Sequence, residues 1–193
     1  MKKILVTVLV LALGLALSGC GGSNNSNNAS NANNTSQNSS AATGTASTLD
    51  KTFAMANGSI TFGISSSWAQ SDGVQDNTMQ EYLFQTDGGT FSIIYSPTGA
   101  QDPYVAIVST QKLYEDSFRV TNFKELSRNE TTRDGMTIVV FEYSYNDPDD
   151  GDTIERLAFI TKGDAQVVIY YLNYADWFNP TYFDELLNSL TWK

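Results

Sequence analysis

The chain changes character at Leu49-Asp50, and that boundary decides how much of it can fold. From Gly21 to Thr48 it is almost entirely Asn, Ser, Gly, Thr and Ala, with no charge and no aromatic or large aliphatic side chain. Such a segment cannot bury enough apolar surface to offset the entropy of ordering it, so residues 20–49 are expected to form a flexible tether. A coil of that length reaches on the order of 30 Å root-mean-square. Residues 50–193, by contrast, are rich in Tyr, Phe, Ile and Val and have the size of one domain, read here as a single core.

Ahead of the tether, Lys2 and Lys3 precede an apolar run from Ile4 to Leu17 that closes on Leu17-Ser18-Gly19-Cys20. A positive end, an apolar stretch short for a bilayer and small residues before a cut site describe a secretory signal, residues 1–19. The chain's one cysteine follows that site and resembles the bacterial lipobox. The resemblance implies a diacylglyceryl group on the Cys20 thiol, cleavage before it and acylation, such as by palmitate, of the new amino terminus. The expected location is a cell membrane, lipid-anchored through Cys20 on the extracytoplasmic face.

Composition removes several functions. The chain has 11 basic and 21 acidic residues; loss of Lys2 and Lys3 leaves 9 against 21, a net charge of −12. Nucleic acid is therefore not an expected partner, because a binder of phosphate backbones needs clustered Lys and Arg to release counterions. Histidine is absent, which removes the ordinary partner of a serine or cysteine nucleophile, the HExxH metalloproteases and zinc sites of Cys/His type. With its one thiol committed to lipid, the folded part holds no disulfide and relies on core burial. Neither GxGxxG before a helix nor GxxxxGK[ST] occurs, so no nucleotide cradle is expected.

Turn chemistry divides residues 50–193. Phe53–Met55 and Ser59–Ile64 flank Asn57-Gly58, a hairpin signal because both residues tolerate positive φ. Met79–Thr86 and Thr90–Ser96 enclose Asp87-Gly88-Gly89 as a second hairpin, with Tyr82 and Phe84 on one face of the first strand and Phe91, Ile93 and Tyr95 on one face of the next. Asp102 as N-cap and Pro103 at the first helical position predict a helix to Phe118, with Ile107, Thr110, Tyr114 and Phe118 along one face. A strand near Asn122–Thr131, the Arg133-Asp134-Gly135 turn and a strand over Met136–Tyr145 follow. Thr153–Lys162 and Gln166–Tyr174 then pair around Gly163-Asp164-Ala165, and their apolar runs fit central positions covered by a helix on at least one face. A closing helix is capped by Asn179, has Pro180 in its first turn, can staple Phe178 onto Phe183, and continues its stripe through Leu186, Leu187 and Leu190. The sum is an α+β domain with a mostly antiparallel sheet flanked by helices.

Two segments carry a resemblance to PsbP-like domains, the group that includes the photosystem extrinsic protein and DcrB-type bacterial lipoproteins. Residues 59–68, Ser-Ile-Thr-Phe-Gly-Ile-Ser-Ser-Ser-Trp, resemble their opening strand and strand-end tryptophan, with serines where many relatives have a proline. Residues 183–190, Phe-Asp-Glu-Leu-Leu-Asn-Ser-Leu, resemble their closing helix. The resemblance implies an α/β/α-like sandwich and a binding or assembly role more often than catalysis. It carries no site residues onto this chain.

Candidate sites come from two clusters. Residues 146–152 place Asp147, Asp149, Asp150 and Asp152 within one turn, and hard cations such as calcium favour oxygen ligands this close. It is not an EF-hand: counted from Asp147, glycine falls at position five and Ala158 at position twelve. Pro, Asp and Gly are also what a tight turn requires for backbone reasons, and that is the preferred reading, with no cofactor expected. Tyr174, Trp177 and Phe178 stand before the last helix, where they can stack on a sugar ring, receive an apolar group of a partner, or simply pack. Trp68 is expected to lid the end of the sheet. For catalysis the available acid–base groups are Asp and Glu, and no spacing selects a pair. The expected function is a non-catalytic binding or assembly module with an envelope protein partner. The alternatives are a solute- or carbohydrate-binding lipoprotein serving a transporter, marked by an aromatic pocket, and a carboxylate-dependent hydrolase, marked by two carboxylates facing across a cleft.

Overall fold

The computed structural model describes residues 49–86 and 89–193. The signal, the tether up to Thr48, Cys20 and the turn residues Asp87 and Gly88 lie outside the described residues. In chain order the elements are β1 (Lys51–Met55), β2 (Ile60–Ile64), β3 (Ala69–Gln75), β4 (Gln80–Gln85), β5 (Thr90–Ser96), α1 (Pro103–Ser117), β6 (Thr121–Arg133), β7 (Met136–Asp147), β8 (Gly151–Lys162), β9 (Ala165–Tyr174), α2 (Pro180–Ser189) and β10 (Thr191–Trp192).

The strands form an antiparallel sheet in the order β3-β4-β5-β9-β8-β7-β6 and a smaller one in the order β1-β2-β10. Because side chains alternate along a strand, register sorts the large sheet's residues between two faces. On one face Phe84, Phe91 and Tyr171 align across β4, β5 and β9, with Ile93, Ile169 and Ala158 in the next row. The small sheet (Ile60, Phe62, Ile64) and α2 (Phe183, Leu186) cover this face. On the other, Phe141, Tyr143, Leu157 and Phe159 pack against Ala106 and Ile107 of α1. The single core expected from sequence is thus two clusters, one on each face of the central strands. The difference follows from strands that are apolar on both sides, as at Leu157-Ala158-Phe159-Ile160. Each fully buried aromatic or aliphatic side chain contributes about 1.5–3 kcal/mol.

Local signals place the helices as predicted. The Asp102 carboxylate accepts from the Tyr104 and Val105 amides (2.8 and 3.3 Å), and Asn179 Oδ1 accepts from the Thr181 amide (3.0 Å). The Phe178–Phe183 staple is indirect: both rings lean on Tyr171, at centroid distances of 5.3 and 6.5 Å. Trp68 lies in the core, stacked on Phe91 of β5 at 5.2 Å and edge-on to Tyr182 of α2 at 6.1 Å. The first hairpin is longer than a two-residue turn. Met55 pairs with Ile60, and Ala56, Asn57 and Gly58 all take left-handed φ of 51°, 55° and 82°.

Candidate functional site

The two clusters singled out from sequence meet at one end of the large sheet. Antiparallel pairing sets Thr153 of β8 opposite Tyr174 of β9, which brings the β7–β8 turn beside the segment leading to α2. Across that junction the Tyr174 hydroxyl donates to Asp150 Oδ1 at 3.0 Å. Partial burial, followed by the Asp150 carboxylate, raises the Tyr174 phenol above its ordinary value. Trp177, in the short 3-10 turn after β9, is 68% exposed, although its carbonyl is fixed by the Asn173 amide at 2.7 Å.

Within the turn the carboxylates work on their own backbone. Asp147 Oδ1 accepts from the Asp149 and Asp150 amides (2.8 and 3.0 Å), and Asp152 Oδ1 accepts from the Asn146 side chain (2.9 Å). Among the described residues, no group of three or more Asp, Glu, His or Cys side chains is arranged to hold a metal ion. The corner is an acidic turn beside one large exposed indole. A depression in the surface lies elsewhere, between β1, β2 and the end of α2, lined by Leu49, Thr52, Phe62, Gly63, Asn188 and Ser189.

A second cluster was missed in the sequence. Glu155 on β8 faces α1 and is 1% exposed. Tyr114 of α1 donates to its two oxygens at 3.1 and 3.4 Å, and Tyr145 of β7 donates at 3.3 Å. Tyr143, directly opposite Glu155 in register, has a buried hydroxyl with no hydrogen-bond partner among the described residues. Burial pushes the Glu155 carboxyl up to about 7, although the Tyr114 and Tyr145 hydroxyls favour its charged form and pull the other way. Burial and then Glu155 raise the phenols of Tyr114, Tyr143, Tyr145 and Tyr170. The available signal was period-two alternation, since Glu155 is in phase with Leu157 and Phe159.

Both buried carboxylates are engaged in hydrogen bonds. Glu155 is closed in by phenols, while Glu81 is 2% exposed and engages the Ser92 hydroxyl and the Val74 amide. Among the described residues no helix is long and apolar enough to cross a membrane.

No family model and no curated protein matches the sequence. Solved structures match its fold, which is a PsbP-like α+β architecture. The chain is similar to the solution structure of cyanobacterial PsbP (CyanoP) from Synechocystis sp. PCC 6803. That alignment has a TM-score of 0.59 and 12% identity, and covers 80% of this chain and 98% of that one. A crystal structure from Bacteroides thetaiotaomicron VPI-5482 aligns at TM-score 0.47 and 12% identity, over 74% of this chain and 48% of that one, too distant to argue from. At these identities the likeness defines the fold and nothing of the chemistry.

Proposed function

We propose that this is a membrane-anchored extracytoplasmic lipoprotein, of the sort DcrB-type lipoproteins represent, whose domain binds or helps assemble an envelope protein without catalysing a reaction. In this reading residues 1–19 are removed, Cys20 carries the lipid, and residues 20–49 hold the domain off the membrane. Tethering raises the domain's effective concentration near membrane partners, so modest affinity suffices. The observation that carries the binding role is the corner itself: Trp177 stands 68% exposed beside the acidic turn that Tyr174 fastens through Asp150. An exposed tryptophan on a rigid support is a typical interface anchor.

The test is to capture the acylated full chain from gently solubilised envelopes and identify what co-purifies in stoichiometric amount, beside a control lacking residues 50–193. A single reproducible membrane partner, lost with Trp177→Ala, supports the reading. Absence of any partner, or a partner indifferent to Trp177→Ala, overturns the assignment of the corner. Anchoring is tested separately with Cys20→Ser and detergent partitioning: a variant that still follows the membranes refutes it.

A further inference from the structure

Glu155 is taken out of water with no cation set against it among the described residues. The titratable groups facing it are Tyr114 from α1, Tyr143 and Tyr145 from β7 and Tyr170 from β9; Asp147 lies beyond Tyr145, and the buried Glu81 of β4 lies beyond Tyr170. From β6, Phe123 packs on Tyr143 and Tyr145, and Glu125, opposite Tyr143, is paired with Arg128. On its own strand the neighbouring Arg156 points to the opposite face, where it meets Glu142 and Asp184. An ionised carboxylate here has phenol donors but no counter-charge, and a buried charge without one is strongly disfavoured.

The element above it is α1, which also meets the sheet at its first turn, where the Tyr104 ring lies edge-on to Phe141 and its hydroxyl donates to Glu130 at 2.8 Å, and through Tyr114. α1 buries Ala106, Ile107 and Thr110, while Val105 and Val108 on its outer side are 64% and 68% exposed. Left-handed backbone bounds it at both ends, at Gly99 (φ 77°) before it and Arg119 (φ 59°) after it. At Arg119 the left-handed residue caps the helix, with the Phe118 and Val120 amides both bonded to the Tyr114 carbonyl at 3.1 and 3.2 Å, so the chain turns sharply away from α1 there.

We propose that Glu155 and the tyrosines around it form a proton-operated latch that holds α1 on the sheet, closed when the carboxyl is neutral and loosened when it ionises. The neutral carboxyl still accepts from Tyr114 and Tyr145 and adds one O–H donor to the cluster. The ionised one is stabilised by water, which reaches it when α1 moves away from Phe141, Leu157 and Phe159. Because the folded carboxyl titrates near 7 against an ordinary value of 4.5, the closed state binds the proton more tightly than the open one. Closure is therefore favoured at low pH and lost as pH rises from about 4.5 through about 7.

The experiment is amide hydrogen exchange of the full chain between pH 5 and pH 8, corrected for intrinsic exchange rates, comparing α1 with β8 and β9. The α1 opening constant is expected to rise on the order of 70-fold over that range in the wild type and to stay level in Glu155→Gln, which keeps the shape without the charge. A flat wild-type profile, or an equal rise in Glu155→Gln, overturns the latch. If Glu155→Gln does not fold, the Glu155 carboxyl carbon is titrated by NMR in the wild type. A midpoint that coincides with the α1 transition supports the proposal, and one near 4.5 overturns it.

Discussion

Arg156→Met tests how α2 is fixed to the sheet. The guanidinium sits 4.8 Å over the ring of Phe183, which is fully buried, and its side chain is 15% exposed. Its Nη1 donates to Asp184 Oδ1 at 2.9 Å and to the Pro180 carbonyl at 3.4 Å. Nε lies 3.2 Å from Glu142 Oε2 without the alignment of a hydrogen bond, so that contact is Coulombic. Removing the cation from a desolvated ring costs about 1–2 kcal/mol. Asp184 is half exposed, so its pair adds no more than about 0.5 kcal/mol. Glu142, 23% exposed, loses its counter-charge at about 1 kcal/mol. Methionine keeps the apolar stem, which limits the packing loss. The total is about 2–3.5 kcal/mol, a large share of the stability of a domain this size. Urea unfolding followed by tryptophan fluorescence at pH 7 measures it, with Asp184→Asn and Phe183→Leu as partners in double-mutant cycles. Coupling should be larger to Phe183 than to Asp184. A change below about 0.5 kcal/mol refutes the ring contact as the clamp, and so does dominant coupling to Asp184.

Other perturbations have defined outcomes. Global stability of the wild type should fall by about 3 kcal/mol between pH 4.5 and 7 on account of Glu155, and Glu155→Gln should abolish that part of the slope in urea midpoints taken across pH. Gly89→Ala should destabilise by about 2–4 kcal/mol in the same assay, because φ is 147° and the added methyl would meet the Leu172 carbonyl at 2.5 Å. Asp147→Ala should cost about 1 kcal/mol by releasing the two turn amides. Added calcium should leave the wild-type thermal midpoint in place, and a rise of several degrees that Asp147→Ala removes would favour the metal reading of the turn over the backbone one.

What was legible in the sequence was local. Asp102 and Asn179 announce their helices because a cap is made by residues two or three positions away, and the strand pairs around Arg133-Asp134-Gly135 and Gly163-Asp164-Ala165 follow from turn chemistry. β3 was not legible: Ala-Gln-Ser-Asp-Gly-Val-Gln has no apolar alternation, lies exposed at the sheet edge, and owes its conformation to pairing with β4. The two-residue β10 is likewise defined by β2 and not by its own sequence. The acidic turn and the aromatic segment were each visible, but their junction through Tyr174 and Asp150 depends on the register of β8 against β9. Glu155 meets Tyr114 from 41 positions away, a distance no local rule spans.

The small sheet has a mechanical consequence. β2 lies between β1 and β10, so the first and last strands of the described domain flank the same central strand. A pull through the chain ahead of Leu49 first meets the Asp50 amide bonded to Ile64 O, then β1–β2 pairs that open in sequence from Lys51–Ile64 to Met55–Ile60. Force applied in that direction loads those bonds one at a time. β2 itself stays seated through the Thr61–Thr191 pair and the bond from the Gly63 amide to Ser189 Oγ. Under load the leading strand peels away and draws Phe53 and Met55 out of the core beneath the small sheet, while the cluster under α1 on the opposite face keeps its own contacts.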